Sequence, residues 1–542
     1  MKDGFRKSMR WFHTWASLVF GWLLFFMFLT GAIGYFEKEL TRWMEPELPM
    51  APMNFTSQQL AKIGVSYLQQ EAPSSSKWKV FLPSSRDNKL RAFYYPVSEN
   101  GKTAMGGHGG PKATKATKKT IDPYTKEAIE PRETGGGSRL YRMHYTLQYV
   151  DARTTGRYIV GFAAMLMLVG LLTGIVIHIN IFKDFFTFRQ DKNLRSWLDA
   201  HIVTGVLALP FHIMITYSGL AFFIFMYMPV TSLVNYEGKM RNYITEAFPS
   251  EKPIEITGIS KPLTDIAPVV QKAENHFGAS ITSLTIVNPG DSSAVIKVER
   301  KNSTIMSGNK IDKLYFSGTS GEIIDSLYPN KPVASNARSI LTGLHIGRFS
   351  DTFSRWLYFL SSILGAVMVA SGLVIWTKKR EKKQSDTLGF KLVDSLNIAT
   401  IAGLPVAIAT YFWANRLLPI DTLKRADMEV DIMFLTWLAM TIVAFAIKSR
   451  KAWFVQFYLA GWLYALLPLS NFFLTDRSLL TTLAHGDWVL FWADISFIVT
   501  GIAFWIAGKK VHNKIRKTAS QKEKTKGEAP LTKEHISQGS PA

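Results

Sequence analysis

Eight stretches of this chain are each long and apolar enough to run as a helix through a hydrocarbon layer, and that count leaves few ways to fold it. They cover about residues 11–36, 157–181, 201–228, 353–376, 395–418, 431–447, 452–472 and 488–508. A layer about 30 Å thick is crossed by roughly 20 helical residues, and only the sixth stretch is short. Polar sequence separates these blocks, so the 47% hydrophobic content belongs to a multi-pass membrane protein rather than to a soluble core. Residues 11–36 follow "MKDGFRKSMR" and exceed the about 7–15 apolar residues of a signal peptide, with no small-residue cleavage site behind them. An uncleaved first helix is expected.

A formal charge of +22 would suit a nucleic-acid binder, but the cations are not placed for one. They gather at the N-terminus, in "FKDFFTFRQDKNLR" after the second stretch, in "KKREKK" after the fourth, in "KSRK" after the sixth and in "KKVHNKIRK" after the eighth. Eight crossings put all five clusters on one face, as the positive-inside rule demands. Both termini are therefore expected in the cytoplasm, with membrane lipid as the partner and no nucleic acid. Cysteine is absent, which removes disulfides, thiolate-ligated clusters and the CxxCH haem attachment, and leaves histidine as the evident metal ligand.

The same topology puts residues 37–156 and 229–352 outside, and each reads as a small α+β domain. The first ends in "TIDPYTKEAIE" and the second in "LYFSGTSGEIID", two similar strand-and-turn units; "GGHGGPKATKATKK" in the first reads as a flexible insertion. The expected layout is a first helix (1–36), an outer domain (37–156), helices two and three (157–228), a second outer domain (229–352) and a fourth helix (353–380). A further four-helix unit (395–508) and a basic cytoplasmic tail (509–542) complete it. The fold class is an all-α transmembrane bundle of about eight helices carrying two α+β domains.

Within the first four helices the chain repeats itself. "HTWASLVFGWLLFFMFLTG" runs from His13 to Gly31 and "HIVTGVLALPFHIMITYSG" from His201 to Gly219. Helices two and four end in "LLTGIVIH" and "VASGLVIW", and each follows an outer-side histidine, His144 in "RMHYTL" and His345 in "GLHIGR". Internal repetition of this kind is a strong organisational signal. At about 100° per residue, 18 residues close five turns, so each first-helix histidine shares a face with its Ser/Thr-Gly pair about 27 Å away. His13 and His201 then lie near the cytoplasmic face, His144 and His345 near the outer face, with Gly174 and Gly372 at the first end and Gly31 and Gly219 at the second. Glycine lets a flat macrocycle approach a helix, and two histidines with two glycines at each end suit one bis-histidine haem b per side. A lone boundary histidine is ordinarily an anchor or an interhelical hydrogen bonder; four in repeat-related positions point to metal or haem.

His178 and His212 break the repeat, their counterparts being Trp376 and Leu24. Both are candidate cofactor ligands by virtue of depth in an apolar segment, and both could equally bond a neighbouring helix. Pro210 is expected to kink the third helix. In the last four helices, Asp494 is either a proton or quinol-site residue or a packing carboxylate.

With these motifs in order, the chain resembles the PepSY-associated transmembrane family over roughly residues 8–380. The resemblance rests on "WFHTWASLVFGWLLFFMFLTG", "RMHYTLQYVDARTTGRYIVG", "LDAHIVTGVLALPFHIMITYSG" and "LHIGRFSDTFSRWLYFLSSILGAVMVASGLVIWTKKR". It implies a bacterial inner-membrane protein with periplasmic PepSY-like domains, some relatives being haem-containing reductases of ferric siderophores. It also implies that His13, His144, His201 and His345 match the family's recurrent histidines. The expected function is electron transfer through two b-type haems to a periplasmic ferric siderophore or other ferric chelate. No G-x-G-x-x-G fingerprint or sizeable cytoplasmic domain is present, so the donor is expected to be a separate reductase or a membrane quinol. The alternative is a membrane-anchored PepSY-type binding or regulatory protein without redox activity. A metal transporter would need polar residues along a continuous path, which these end-clustered histidines do not provide.

Overall fold

The computed structural model describes residues 2–96, 116–149, 153–178, 180–186, 189, 194–228, 230–239, 242, 246, 254–301, 311–324, 333–347, 351–447 and 449–527. Most of the glycine- and lysine-rich insertion, with His108, and the last part of the tail, with His535, lie outside them. Seven helices are long and apolar enough to cross a membrane, and one bent pair makes an eighth span. These match the eight stretches read from hydropathy. The protein is a multi-pass membrane protein.

Four spans form a bundle: α1 (Lys2–Gly34), then, after the short α2 (Glu37–Met44), α3 (Ser57–Glu71) and α4 (Gly136–Thr146), α5 (Arg153–Ile177), the bent pair α6 (Leu194–Leu207) and α7 (Leu209–Phe222), and, after α8 (Ile266–Phe277) and α9 (Val333–Ile346), α10 (Thr352–Gln384). Helix α1 packs along α5 and α10, α6 along α10, and α7 along α5 and α9. The bend between α6 and α7 is 65°. Its cause is Pro210 in the first turn of α7, which offers no amide hydrogen to the preceding turn. The repeat partner of Pro210 is Trp22, and α1 accordingly runs unbroken.

The two outer segments do not make two separate domains, and this corrects the expectation. Each contributes one helix, α3 or α8, and four strands: β1 (Lys77–Phe81), β2 (Leu90–Tyr95), β3 (Thr117–Ile121) and β4 (Ala128–Ile129), then β5 (Ser283–Val287), β6 (Val295–Lys301), β7 (Ile311–Ser317) and β8 (Ile323–Ile324). The strands join in one antiparallel sheet of order β4-β3-β2-β1-β5-β6-β7-β8. Strands β1 and β5 pair with Lys79 opposite Thr285, so the halves are related across that seam. Pairing the two edges satisfies backbone groups that separate domains would leave exposed. One continuous core results, with Leu60, Val65 and Leu68 of α3 and Val269, Val270 and Ala273 of α8 packed on Val80, Leu284, Ile286 and Phe316. Helix α3 is started by a capping box between Thr56 and Gln59, and α8 by the Asp265 side chain.

Glu39 is one of the carboxylates that tie the sheet to the bundle. Glu39 of α2 accepts from Arg86, in the β1–β2 connection, at 2.6 Å and from Arg355 of α10 at 2.6 Å, while Arg86 also donates to the Tyr35 carbonyl at 2.9 Å.

The remaining spans are α11 (Leu388–Ile398) continued through a π-helical turn (399–403) into α12 (Leu404–Leu417), α13 (Arg425–Ala446), α14 (Ser449–Leu474) and α15 (Trp488–Gly527). Helices α14 and α15 approach closely because Gly461 faces Gly501; a Cβ on Gly501 would lie 2.7 Å from the Gly461 carbonyl. This unit meets the bundle through Asn397, which accepts from the Trp22 indole at 2.9 Å and donates to the Leu373 carbonyl at 3.2 Å.

Two paired-imidazole sites in the bundle

Each end of the four-span bundle holds two histidines facing each other across a cavity. At the end that carries the basic clusters, the His13 and His201 ring centroids are 6.4 Å apart, beside a cavity of about 760 Å³. At the end from which the sheet rises, His144 and His345 are 6.2 Å apart beside a cavity of about 380 Å³. About 27 Å of α1 axis separates His13 from Gly31, which packs against His144. The structure thus brings together the two pairs expected from the repeat.

The same local device positions all four rings. His13 Nδ1 lies 3.1 Å from the Gly170 carbonyl, His144 Nδ1 2.7 Å from Met27, His201 Nδ1 2.8 Å from Met368 and His345 Nδ1 2.8 Å from Ile215. Three residues after each accepting carbonyl stands a hydroxyl that donates to it, from Thr173, Thr30, Ser371 or Ser218. One residue further stands Gly174, Gly31, Gly372 or Gly219. A carbonyl acceptor fixes the Nδ1–H tautomer and leaves Nε2 as the lone-pair nitrogen. Among the described residues, none hydrogen-bonds to any of the four Nε2 atoms.

The glycines are there for the imidazoles. A Cβ on Gly31 would stand 2.9 Å from His144 Nδ1, on Gly219 2.8 Å from His345 Cε1, and on Gly372 3.2 Å from His201 Cε1; at Gly174 the distance to His13 Cε1 relaxes to 3.5 Å. Absence of a side chain at these positions seats a ring edge, so approach of a flat macrocycle to the helix is not their first role. That role fits Gly170, where a Cβ would meet nothing within 4 Å and which lines the larger cavity. Sequence reading identified the Ser/Thr-Gly pairs but not the carbonyl three residues before them. The common i, i+3, i+4 spacing was the available signal.

His144 and His345 lie on α4 and α9, outside the spanning helices. Burial lowers the pKa of both; for His345 burial and the neighbouring His144 outweigh the Ile215 carbonyl and bring it to about 3. Both imidazoles are therefore neutral at physiological pH.

His178 follows α5 and lines the larger cavity, but is not a member of the His13–His201 pair there. His212 lines neither cavity. It is fully buried between them, with Nε2 3.2 Å from the Ser361 carbonyl and its ring 5.6 Å from Phe28. The bend at Ala208 turns His212 away from the face of His201, so the shared-face geometry of an unbroken helix does not hold there.

The donor set can be tested against haem. Among the described residues no group of three or more His, Asp or Glu side chains converges as a metal site; each cavity has one facing pair of imidazoles, as a ligand that itself supplies four equatorial donors would require. Two imidazoles that held one metal between their Nε2 atoms, at about 2.0–2.1 Å each and with a ring centroid roughly 1.1 Å behind each nitrogen, would have centroids about 6.3 Å apart. The observed 6.4 and 6.2 Å agree. Both cavities fall in the range of about 300–1,000 Å³ typical of cofactor sites. The residues present fit the group.

Asp494 resolves differently. It is fully buried, accepts from the Trp43 indole at 2.8 Å and from Asn471 at 3.1 Å, and Asn471 in turn accepts from Arg416 at 2.7 Å. The Arg416 guanidinium lies 3.6 Å over the Trp43 ring. This network locks α2 to the last four spans, and every member is satisfied locally, which is the behaviour of a packing carboxylate.

No curated protein matches the chain at a significant level. A family model does, that of the PepSY-associated transmembrane region, over residues 10–379, which spans the bundle, both imidazole pairs and the sheet but not the last four spans. The chain therefore belongs to the PepSY-associated transmembrane family.

Proposed function

We propose that this protein carries one haem b at each imidazole pair and passes electrons across a bacterial inner membrane to a periplasmic ferric chelate, such as a ferric siderophore. The observation that carries the reading is the geometry of the pairs: two sets of imidazoles near 6.3 Å, all four held by Nδ1 on a backbone carbonyl and all four presenting Nε2. A bis-histidine haem exchanges single electrons without a change of ligands.

The chain's own part is positioning. His13 and His201 hold the centre at the basic, cytoplasmic end, and His144 and His345 the one beneath the sheet. The hydroxyls of Thr30, Thr173, Ser218 and Ser371 fix the carbonyls that orient the rings. Apolar side chains of α1, α5, α7 and α10, among them Leu24, Met27, Met167 and Met368, fill the space between the ends and exclude water. Two centres divide the roughly 30 Å apolar barrier into shorter steps. The donor is a separate cytoplasmic reductase or a membrane quinol.

The visible spectrum of the purified protein tests this. Sharp reduced bands at about two haems per chain are expected; a colourless preparation from haem-replete cells would instead favour an anchored binding or regulatory protein.

A further inference from the structure

Four cations crowd the mouth of the larger cavity, and none has a carboxylate partner among the described residues. Arg6 and Arg10 stand about two turns and one turn before His13 on its own face of α1, and Lys379 and Arg380 stand about two turns after Gly372 on α10; all line the cavity. Arg6 donates one Nη2 hydrogen to the Ile177 carbonyl at 3.0 Å, and its buried Nε has no partner. Arg380 donates to the Trp376 carbonyl and lies 4.1 Å over the Trp376 ring. Lys379 has Arg10 and Arg380 as its charged neighbours. The acid of this cavity, Asp199, is already engaged with Arg189 at 2.9 Å. The positive-inside rule accounts for cations at this end of the bundle, but not for four of them lining one cavity beside the paired imidazoles, Arg6 and Arg380 half-buried and Arg10 and Lys379 exposed at its mouth. Like charges gathered without counter-ions in a cavity with apolar walls raise each other's energy and attract an anion. The lining of the other cavity includes two cations, Arg157 and Arg338.

We infer that Arg6, Arg10, Lys379 and Arg380 form an anchoring site for the carboxylates of the tetrapyrrole at the His13–His201 pair, so that its carboxylate edge faces the basic end. This rests on the proposed function and adds to it the group that sets orientation. Arg6 and Arg380 also bond helix carbonyls, whereas the Arg10 and Lys379 side chains make no hydrogen bond or ion pair among the described residues, so they are the residues to change.

The experiment compares the parent with the Arg10→Gln, Lys379→Gln double variant, each purified in detergent with zwitterionic lipid only. The apoproteins are loaded with haem or with its dimethyl ester, whose carboxylates are blocked. Haem stoichiometry and the rate of loss to a scavenging globin are read for each. With free haem the double variant should lose the cofactor of the His13–His201 site at least about tenfold faster, as expected when charge-assisted hydrogen bonds are removed. The ester should leave the parent equally fast, and the variant should add nothing to that rate. Its midpoint potential should fall, because removing cations favours the oxidised iron. Equal loss rates for haem and ester in the parent, or a parental loss rate in the variant, overturn the inference. If instead the variant only loses co-purifying anionic lipid, the cations serve headgroups and the inference is also overturned. Failure of the parent to take up haem at all sinks the proposed function instead.

Discussion

His345 and Ile215 meet across the bundle: the ring nitrogen Nδ1 lies 2.8 Å from a carbonyl four residues before Gly219, whose missing side chain makes room for the same ring. The arrangement recurs at His144, His13 and His201. A ring held on one side by a hydrogen bond and on the other by a glycine has one orientation, and that orientation is testable.

Adding a methyl group should disturb the seats unequally. Gly219→Ala and Gly31→Ala place a Cβ 2.8–2.9 Å from a ring atom, and should displace His345 or His144 and release the cofactor beneath the sheet. Gly174→Ala, at 3.5 Å from His13, should leave cofactor content near two per chain. Pyridine haemochrome quantitation decides; equal loss in all three would show that these glycines serve something other than ring packing.

The two pairs should differ in electron paramagnetic resonance. The His13 and His201 planes are inclined at 82° and those of His144 and His345 at 37°. Perpendicular axial rings act equally on the two metal π orbitals and leave them nearly degenerate, whereas more nearly parallel rings split them. One highly anisotropic low-spin signal and one rhombic signal are expected from the oxidised protein, and His201→Ala should remove only the first. Two identical signals would contradict the ring geometry.

Loss of a single ligand should interrupt transfer on opposite sides of the membrane. His345→Ala should abolish reduction of an external ferric chelate while a cytoplasmic-side donor still reduces the remaining centre. His13→Ala should leave a centre beneath the sheet that the donor reduces poorly. Stopped-flow reduction in oriented vesicles reads both; parental transfer rates in both variants would exclude a two-centre path.

Asp494 should matter for stability alone. Asp494→Ala leaves the buried Trp43 and Asn471 donors unpaired, a cost of about 1–3 kcal/mol for each buried group, and should lower the thermal aggregation midpoint while cofactor content and transfer rate stay at the parental level. A stable protein with impaired transfer would reassign Asp494 to function.

The sheet should loosen in acid through Glu299. Burial raises its pKa, but Lys79 at 3.5 Å, Lys297 at 3.0 Å and Ser283 outweigh burial and hold it below its ordinary 4.5. A carboxyl depressed in the folded state contributes stability above its ordinary pKa, and that contribution fades as pH falls below 4.5 through the folded value. Proteolysis of the 254–301 region should therefore accelerate in acid, and Glu299→Gln should be more susceptible at neutral pH with a flatter acid response. A parental pH profile in the variant would show that other carboxylates govern the loss.

The sequence by itself determined the eight spans, the repeat in the first four and the four histidines that form the two pairs, because hydropathy and helical period are local properties written in consecutive residues. Only the tertiary structure decided how they are used. The carbonyls that orient the rings come from helices 117 to 167 residues away in the chain, and backbone acceptors have no residue-type signature. Fusion of the outer segments into one sheet depends on β1 meeting β5, a pairing of strand edges that neither segment encodes alone. His212 shows the same limit: a helical face is continuous only while the helix is, and the third span breaks at Ala208, one turn before that histidine.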